Sequence, residues 1–158
     1  MNPRQQGDIG ERAAAAWLLG KDAVVAYPFG HSPDWDLVAE IDLTLYRVQV
    51  KTSTYFRKGR WVVALCTRGG NRSWNGIVKL LDSGRCDYLF VLVADGRQWF
   101  IPTADLGGGS GLLLGGPKYA RFEVERGPAI FDYERRCASR SRIFAARGDA
   151  RAAKGIAL

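Results

Sequence analysis

Apolar and polar positions alternate at two different periods along this chain, and the periods divide it into elements. Over residues 7–19, Ile9, Ala13, Ala16 and Trp17 recur at helical spacing and Gly20 follows as a natural stop, which predicts an amphipathic helix. Residues 23–27 then read as a short strand ended by Pro28. The runs at 36–42 (DLVAEID) and 45–54 (LYRVQVKTST) alternate with period two and predict two successive strands. A weaker alternation over 61–67 predicts a further strand extending the same sheet, and the short apolar stretch 77–81 predicts a helical turn. Residues 88–93 and 98–101 form a hairpin pattern around Ala94-Asp95-Gly96-Arg97. Trp61, opening its strand, is a core candidate. Helix, paired strands and further strands imply an α+β domain built on a mixed sheet.

The strand pattern also locates candidate chemistry. Side chains two apart on a strand share a face, so Gln49 and Lys51 project together while Val48 and Val50 turn into apolar packing. Asp36 opens the neighbouring strand. A carboxylate facing a second oxygen acceptor and an ammonium is a minimal arrangement for metal-assisted phosphodiester hydrolysis, and oxygen ligands suit a hard cation. Asp34 is a rival for the acid, and Asp36 has the alternative reading of a turn-capping residue after Pro33. Glu40 and Asp42 share the parity of Asp36 farther along the strand and read as surface charges. A strand lysine between valines must reach water or a carboxylate, for which Asp36 is the candidate partner.

Charge sharpens this picture. The chain has 158 residues and a net charge of +7, with residues 1–42 carrying 3 basic and 7 acidic side chains. Residues 43–81 carry 8 basic side chains and no acid. Acid where a cation would sit, with base directly beside it, suits a metal site flanked by a phosphate-binding face. The basic and aromatic segment 54–74 is therefore expected to meet nucleic acid: Arg57, Lys58 and Arg60 on phosphates, Arg68 and Arg72 on base edges. His31 reads as a surface histidine near that partner.

Other classes recede. There is no run of 18 apolar residues and no apolar leader after the N-terminus, so a cytoplasmic protein with no membrane span is expected. Cys66, Cys86, Cys137 and the single His31 are scattered without a zinc spacing. The stretch GGGSGLLLGGPK over 107–118 lacks the order of a phosphate-binding loop and is read as a flexible connection. The expected organisation is one domain over 1–158, with a core to about 105, this connection at 106–117 and a basic part over 118–158. The tail cations Arg135, Arg136, Arg140, Arg142, Arg147, Arg151 and Lys154 form either an arm on phosphates or a solubilising tail.

Asp36-x12-Gln49-Val50-Lys51 resembles the PD-(D/E)XK nuclease superfamily, in a variant with Gln in place of the usual second acid. Together with GDIGE at Gly7–Glu11, YPFG…WDLV at Tyr27–Val38, RVQVKTS at Arg47–Ser53 and DYLFVLVADGRQWFIP at Asp87–Pro102, it resembles the homing endonucleases of this superfamily encoded in bacterial group I introns. The likeness spans roughly the first two thirds of the chain. It implies a restriction-endonuclease-like sheet flanked by helices and a site-specific, Mg²⁺-dependent (or Mn²⁺-dependent) double-strand DNA endonuclease. It selects Asp36 over Asp34 and makes Glu11, Asp36, Gln49 and Lys51 the catalytic set, with Asp36, Gln49 and Glu11 around the metal. Thr52 and Ser53, closing the motif, join the DNA-contacting residues. Read from the residues alone, Asp8…Glu11 also has capping-box spacing, so Glu11 carries two readings. Cutting both strands requires two sites, hence a homodimer, and the resemblance points to a homotetramer. The alternatives are a Holliday-junction resolvase or repair nuclease of the same superfamily, and a catalytically inactive DNA-binding relative.

Overall fold

Asn2 starts the helix earlier than the apolar period alone predicts. In the computed structural model, which describes residues 2–30, 34–68 and 78–130, α1 runs Pro3–Leu19. The Asn2 side chain accepts the Gln5 N–H (2.8 Å) and the Gln5 side chain accepts the Asn2 N–H (3.1 Å), with Pro3 preset for the first turn. The capping box is therefore Asn2–Gln5, and the Asp8…Glu11 reading is overturned: Glu11 lies well inside the helix, where backbone donors are already bonded. Gly10, Ala14 and Leu18 form the buried stripe of α1, one residue per turn.

The strands follow as β1 (Val24–Ala26), β2 (Leu37–Ile41), β3 (Thr44–Ser53), β4 (Phe56–Arg57), β5 (Arg60–Ala64), β6 (Thr67–Arg68), β7 (Val78–Lys79), β8 (Tyr88–Val93), β9 (Gln98–Pro102), β10 (Gly111–Leu114) and β11 (Glu123–Val124). A six-stranded sheet has the order β1-β2-β3-β8-β9-β11, antiparallel throughout except for the parallel pair β3–β8. β2 and β3 meet in a two-residue turn whose residues Asp42 and Leu43 both have positive φ (48° and 61°), the geometry that matches strand twist. The β8–β9 hairpin turns where expected, with Gly96 at φ 88°.

Alternation along β3 and β8 feeds two cores. Val48, Val50, Phe90 and Leu92 pack with Leu37 and Ala39 beneath Ala14 and Leu18 of α1. On the opposite face Leu89, Val91 and Val93 pack with Trp99, Ile101, Trp61, Val63, Leu112 and Leu114. The result is the expected α+β class with a mixed sheet.

Three expectations change. β5 does not extend the main sheet; it lies in a separate three-stranded sheet of order β10-β5-β4, joined to β3 where Ser53 Oγ donates to the Val62 carbonyl (2.6 Å). Period two identifies a strand without naming its partner, and Trp61 is buried as expected. The glycine-rich stretch contains β10, whose Leu112 and Leu114 are buried while Leu113 faces out. The expected helical turn near Leu81 is instead β7, antiparallel to β6; residue 77 lies outside the described residues. Among the described residues no helix is long and apolar enough to cross a membrane.

Candidate active site

The site forms where β2 and β3 part. Leu37 is paired with Val48, and the Asp36 N–H still donates to the Val48 carbonyl (2.9 Å). Beyond that point the Val50 N–H has no β2 residue opposite it, and the Asp36 carboxylate takes it instead (2.7 Å). The Gln49 amide nitrogen also donates to the Asp36 carboxylate and lies 3.4 Å from the Val50 carbonyl oxygen. A carboxylate, an amide and a main-chain carbonyl thus converge, all capable of presenting oxygen once the Gln49 amide is turned over.

Electrostatics bring two further residues into the cluster. Burial pushes the Asp36 carboxyl above its ordinary value, opposed by the Val50 N–H, the Lys51 charge and the Gln49 hydrogen bond. Glu11 is raised by burial, then by the negative charges of Asp36 and Asp8. The Asp36 charge thus reaches Glu11 across the helix–sheet joint, and the Lys51 charge opposes that of Asp36. Two mutually repelling carboxylates beside an ammonium and free oxygen donors suit a hard divalent cation. Asp36, Gln49 and the Val50 carbonyl would hold it, with Glu11 alongside. No cluster of three or more His, Cys, Asp or Glu exists among the described residues, so an all-carboxylate or zinc-type shell does not fit.

Local packing explains the reach of Glu11. A Cβ on the preceding Gly10 would meet the Thr52 side chain, so glycine there lets α1 lie directly on β3. The Gln6 amide reinforces the contact by donating to the Thr52 carbonyl (2.8 Å). Tyr27 is drawn in as well, its hydroxyl raised by burial and then by Glu11. Gly10, Gln6, Tyr27 and the Val50 main chain were not singled out as site residues from the sequence. GDIGE holds a signal for Gly10, whereas a main-chain ligand leaves no trace in residue type.

The other candidates sort by place. Asp34 is nearly buried and ion-paired to Arg85 (3.1 Å), so the rival acid is engaged elsewhere. Asp42 sits in the β2–β3 turn, and Glu40 stands opposite Val24 and Leu45 farther along the sheet. The Thr52 hydroxyl is buried against α1, and Ser53 Oγ is buried between the Val62 carbonyl and the Tyr55 N–H. Both hydroxyls are thus engaged within the protein: Thr52 shares the α1-facing side of Val48 and Val50, and β5 covers Ser53 at the end of β3. Arg57 and Lys58 are exposed at the tip of the β4–β5 hairpin, where Lys58 and Gly59 both have positive φ, and Arg60, paired with Arg57 across the turn, is half-buried. Arg68 contributes backbone to β6, its side chain lying outside the description; His31, Arg72 and the tail cations from Arg135 onward lie outside the described residues.

Comparison with known proteins agrees with this geometry. A family model described as PD-(D/E)XK endonuclease matches residues 1–110. No curated protein matches the chain. Among solved structures, the fold is similar to that of a bacterial homing endonuclease, I-Ssp6803I, with a TM-score of 0.66 at 22% identity, covering 78% of this chain and 89% of that one.

Proposed function

This chain belongs to the PD-(D/E)XK endonuclease family, and from that premise we propose that it is a Mg²⁺-dependent endonuclease cutting duplex DNA at specific sites. The observation that carries the reading is the convergence of the Asp36 carboxylate, the Gln49 amide and the Val50 carbonyl, with the Glu11 and Lys51 charges beside them. A bound Mg²⁺ would supply positive charge at the scissile phosphate and make water a better nucleophile.

The chain's own groups do the rest. Asp36 is held in place by the Val50 N–H, so its second oxygen is aimed without freedom to swing. Lys51 donates to a non-bridging phosphate oxygen, offsetting the charge that grows as water attacks in line. Glu11 orients that water and, with its raised proton affinity, receives its proton. The 3′-oxygen leaves opposite the attack, giving the 5′-phosphate and 3′-hydroxyl ends expected from the superfamily. Gln49 in place of an acid removes one negative charge from the cation's surroundings while keeping an oxygen donor. Cleavage of both strands calls for a homodimer or homotetramer placing two such sites on one duplex.

The test is cleavage of a randomised duplex library in Mg²⁺ and in EDTA, repeated with Asp36→Ala and Lys51→Ala. The wild type should cut a defined sequence only with the metal. Both variants should lose about 100-fold or more in rate while retaining duplex affinity. Near wild-type cutting by either variant would show the site to be misassigned. Binding without cleavage by the wild type would leave an inactive DNA-binding relative, and preference for four-way junctions would leave a resolvase.

A further inference from the structure

Six cations of the described surface are neutralised locally. Lys21, Arg47, Arg85, Arg97, Arg121 and Arg126 each meet a carboxylate. On α1, Arg4 and Arg12 have no acidic partner among the described residues, and neither do Arg57, Lys58, Arg60 and Lys118 around the β10-β5-β4 sheet. Two of these, Arg60 and Lys118, border a cleft of about 570 Å³ between β5, β10 and the residues around them, whose lining contains no acid. That volume is in the range of ligand-holding cavities.

Part of the cleft wall is glycine main chain, set among the apolar side chains of Val62, Leu65, Leu112, Leu113, Pro117 and Tyr119. Gly107, Gly109, Gly111 and Gly116 line it, and the two cations lie close on them. A Cβ at Gly116 would come within 2.6 Å of Arg60 Nε, and one at Gly107 within 3.2 Å of Lys118 Nζ. β10 is the edge of its sheet, so alternate N–H groups turn away from β5. Cationic side chains over glycine backbone with open N–H groups recognise an anion that must approach closely, which is how phosphate is held. The order of a phosphate-binding loop is absent, as the sequence indicated; the site is assembled from a strand edge instead.

Resting on the DNA-cleaving reading, we propose that this cleft is a second phosphate-binding site, holding a backbone phosphate of the duplex away from the scissile bond, with Arg60 and Lys118 as its cationic sides. Its placement fits. Lys51 and Ser53 are two residues apart on β3, Ser53 bonds to Val62 of β5, and Val62 pairs with Leu113 in the cleft wall. That path includes about 7 Å along one strand and about 5 Å between neighbours, both short against a duplex turn of about 34 Å. The cleft and the catalytic lysine can therefore engage one duplex together.

The experiment is duplex binding by the full chain without divalent cation, at several salt concentrations, for the wild type, Lys118→Glu and Gly109→Asp, with Arg121→Ala as a control whose cation is already paired to Asp105. Gly109 accepts a side chain at ordinary contact distance (3.6 Å from the Gly111 carbonyl oxygen), so it tests the cleft should Lys118→Glu fail to fold. Both cleft variants should weaken binding about tenfold and lower the log–log salt slope by about one, while Arg121→Ala changes neither. Wild-type affinity and slope in a folded Gly109→Asp protein would overturn the cleft alone. Absence of salt-dependent duplex binding by the wild type would overturn the DNA-cleaving reading with it. Orthophosphate binding that Gly109→Asp abolishes without changing duplex affinity would assign the cleft to a free phosphate and overturn the proposal.

Discussion

A Cβ at position 10 would lie 2.0 Å from the Thr52 hydroxyl oxygen and 3.2 Å from a Val50 methyl carbon. Helix propensity favours alanine over glycine by up to about 1 kcal/mol, but overpacking a buried joint costs about 1–3 kcal/mol. Thr52 is β-branched and held in a strand, so its hydroxyl cannot swing away freely. Gly10→Ala should therefore destabilise the protein by about 1–2 kcal/mol in urea unfolding, and lower cleavage by lifting Glu11 off the site. Thr52→Ala introduced alongside it removes the obstructing oxygen, so the pair should show a coupling of at least about 0.5 kcal/mol. A stabilised Gly10→Ala protein would mean that helix and strand do not approach this closely. At this scale the sequence disclosed side chains and missed main chain. The placing of Asp36 beside Gln49 was legible because strand period fixes facing, whereas the Val50 N–H and carbonyl belong to every residue type. The covering of Thr52 and Ser53 was not legible because their neighbours, Gly10 and Val62, are 42 and 9 positions away in sequence.

Strand register is what turns those residues into a site, and the parallel pair β3–β8 is clasped at its start. Arg47 donates through Nε and Nη2 to the Asp87 carboxylate (3.0 and 2.9 Å), and its N–H adds a third bond (2.7 Å). In return the Asp87 N–H donates to the Arg47 carbonyl (2.9 Å), one residue before Val48 pairs with Tyr88. The guanidinium holds the Asp87 carboxyl below its ordinary 3.8. A depressed folded value means that the stabilisation is complete above the unfolded value and is lost as pH falls through the folded one. Wild type and Asp87→Asn should accordingly differ in urea midpoint at pH 7 and converge in acid below about pH 4. A difference that stays constant with pH would show the clasp to be ionically idle. Elements with clear alternation, β2, β3, β8 and β9, were readable in the sequence. The glycines flanking Leu112 and Leu114 hid β10, since composition there speaks for a linker while only pairing with β5 makes a strand. The helix start was missed for a related reason: Asn2-Pro3 precedes the apolar period, and caps lie outside periodicity.

Across the whole molecule, charge divides as the active site requires. The acid-free residues 43–81 span β3 with Gln49 and Lys51, the β4–β5 hairpin and the described parts of β6 and β7, whereas Glu11 and Asp36 come from the acid-rich N-terminal stretch. Among the described residues Cys66 and Cys86 are free, and the Cys86 thiol is buried and pushed up to about 11. Chelation should thus abolish cleavage yet leave the melting temperature of the DNA-free protein unchanged; unfolding on EDTA treatment, with release of stoichiometric zinc, would contradict the oxygen-ligand site. The exposed hairpin supplies the last test. Arg57, Lys58 and Arg60 all stand at its tip, Arg60 opposite Arg57 across the turn, and none meets an acid among the described residues. Replacing all three by alanine should weaken binding to every duplex and flatten the salt slope by about one unit for each phosphate left without its cation. Asp36→Ala, which removes a negative charge facing the phosphate, should hold duplex at least as tightly as the wild type in the same titration. The two variants together separate grip from chemistry. A triple mutant with the wild-type slope would place the phosphate-binding face elsewhere, with the basic residues from Arg135 onward as the remaining source of charge.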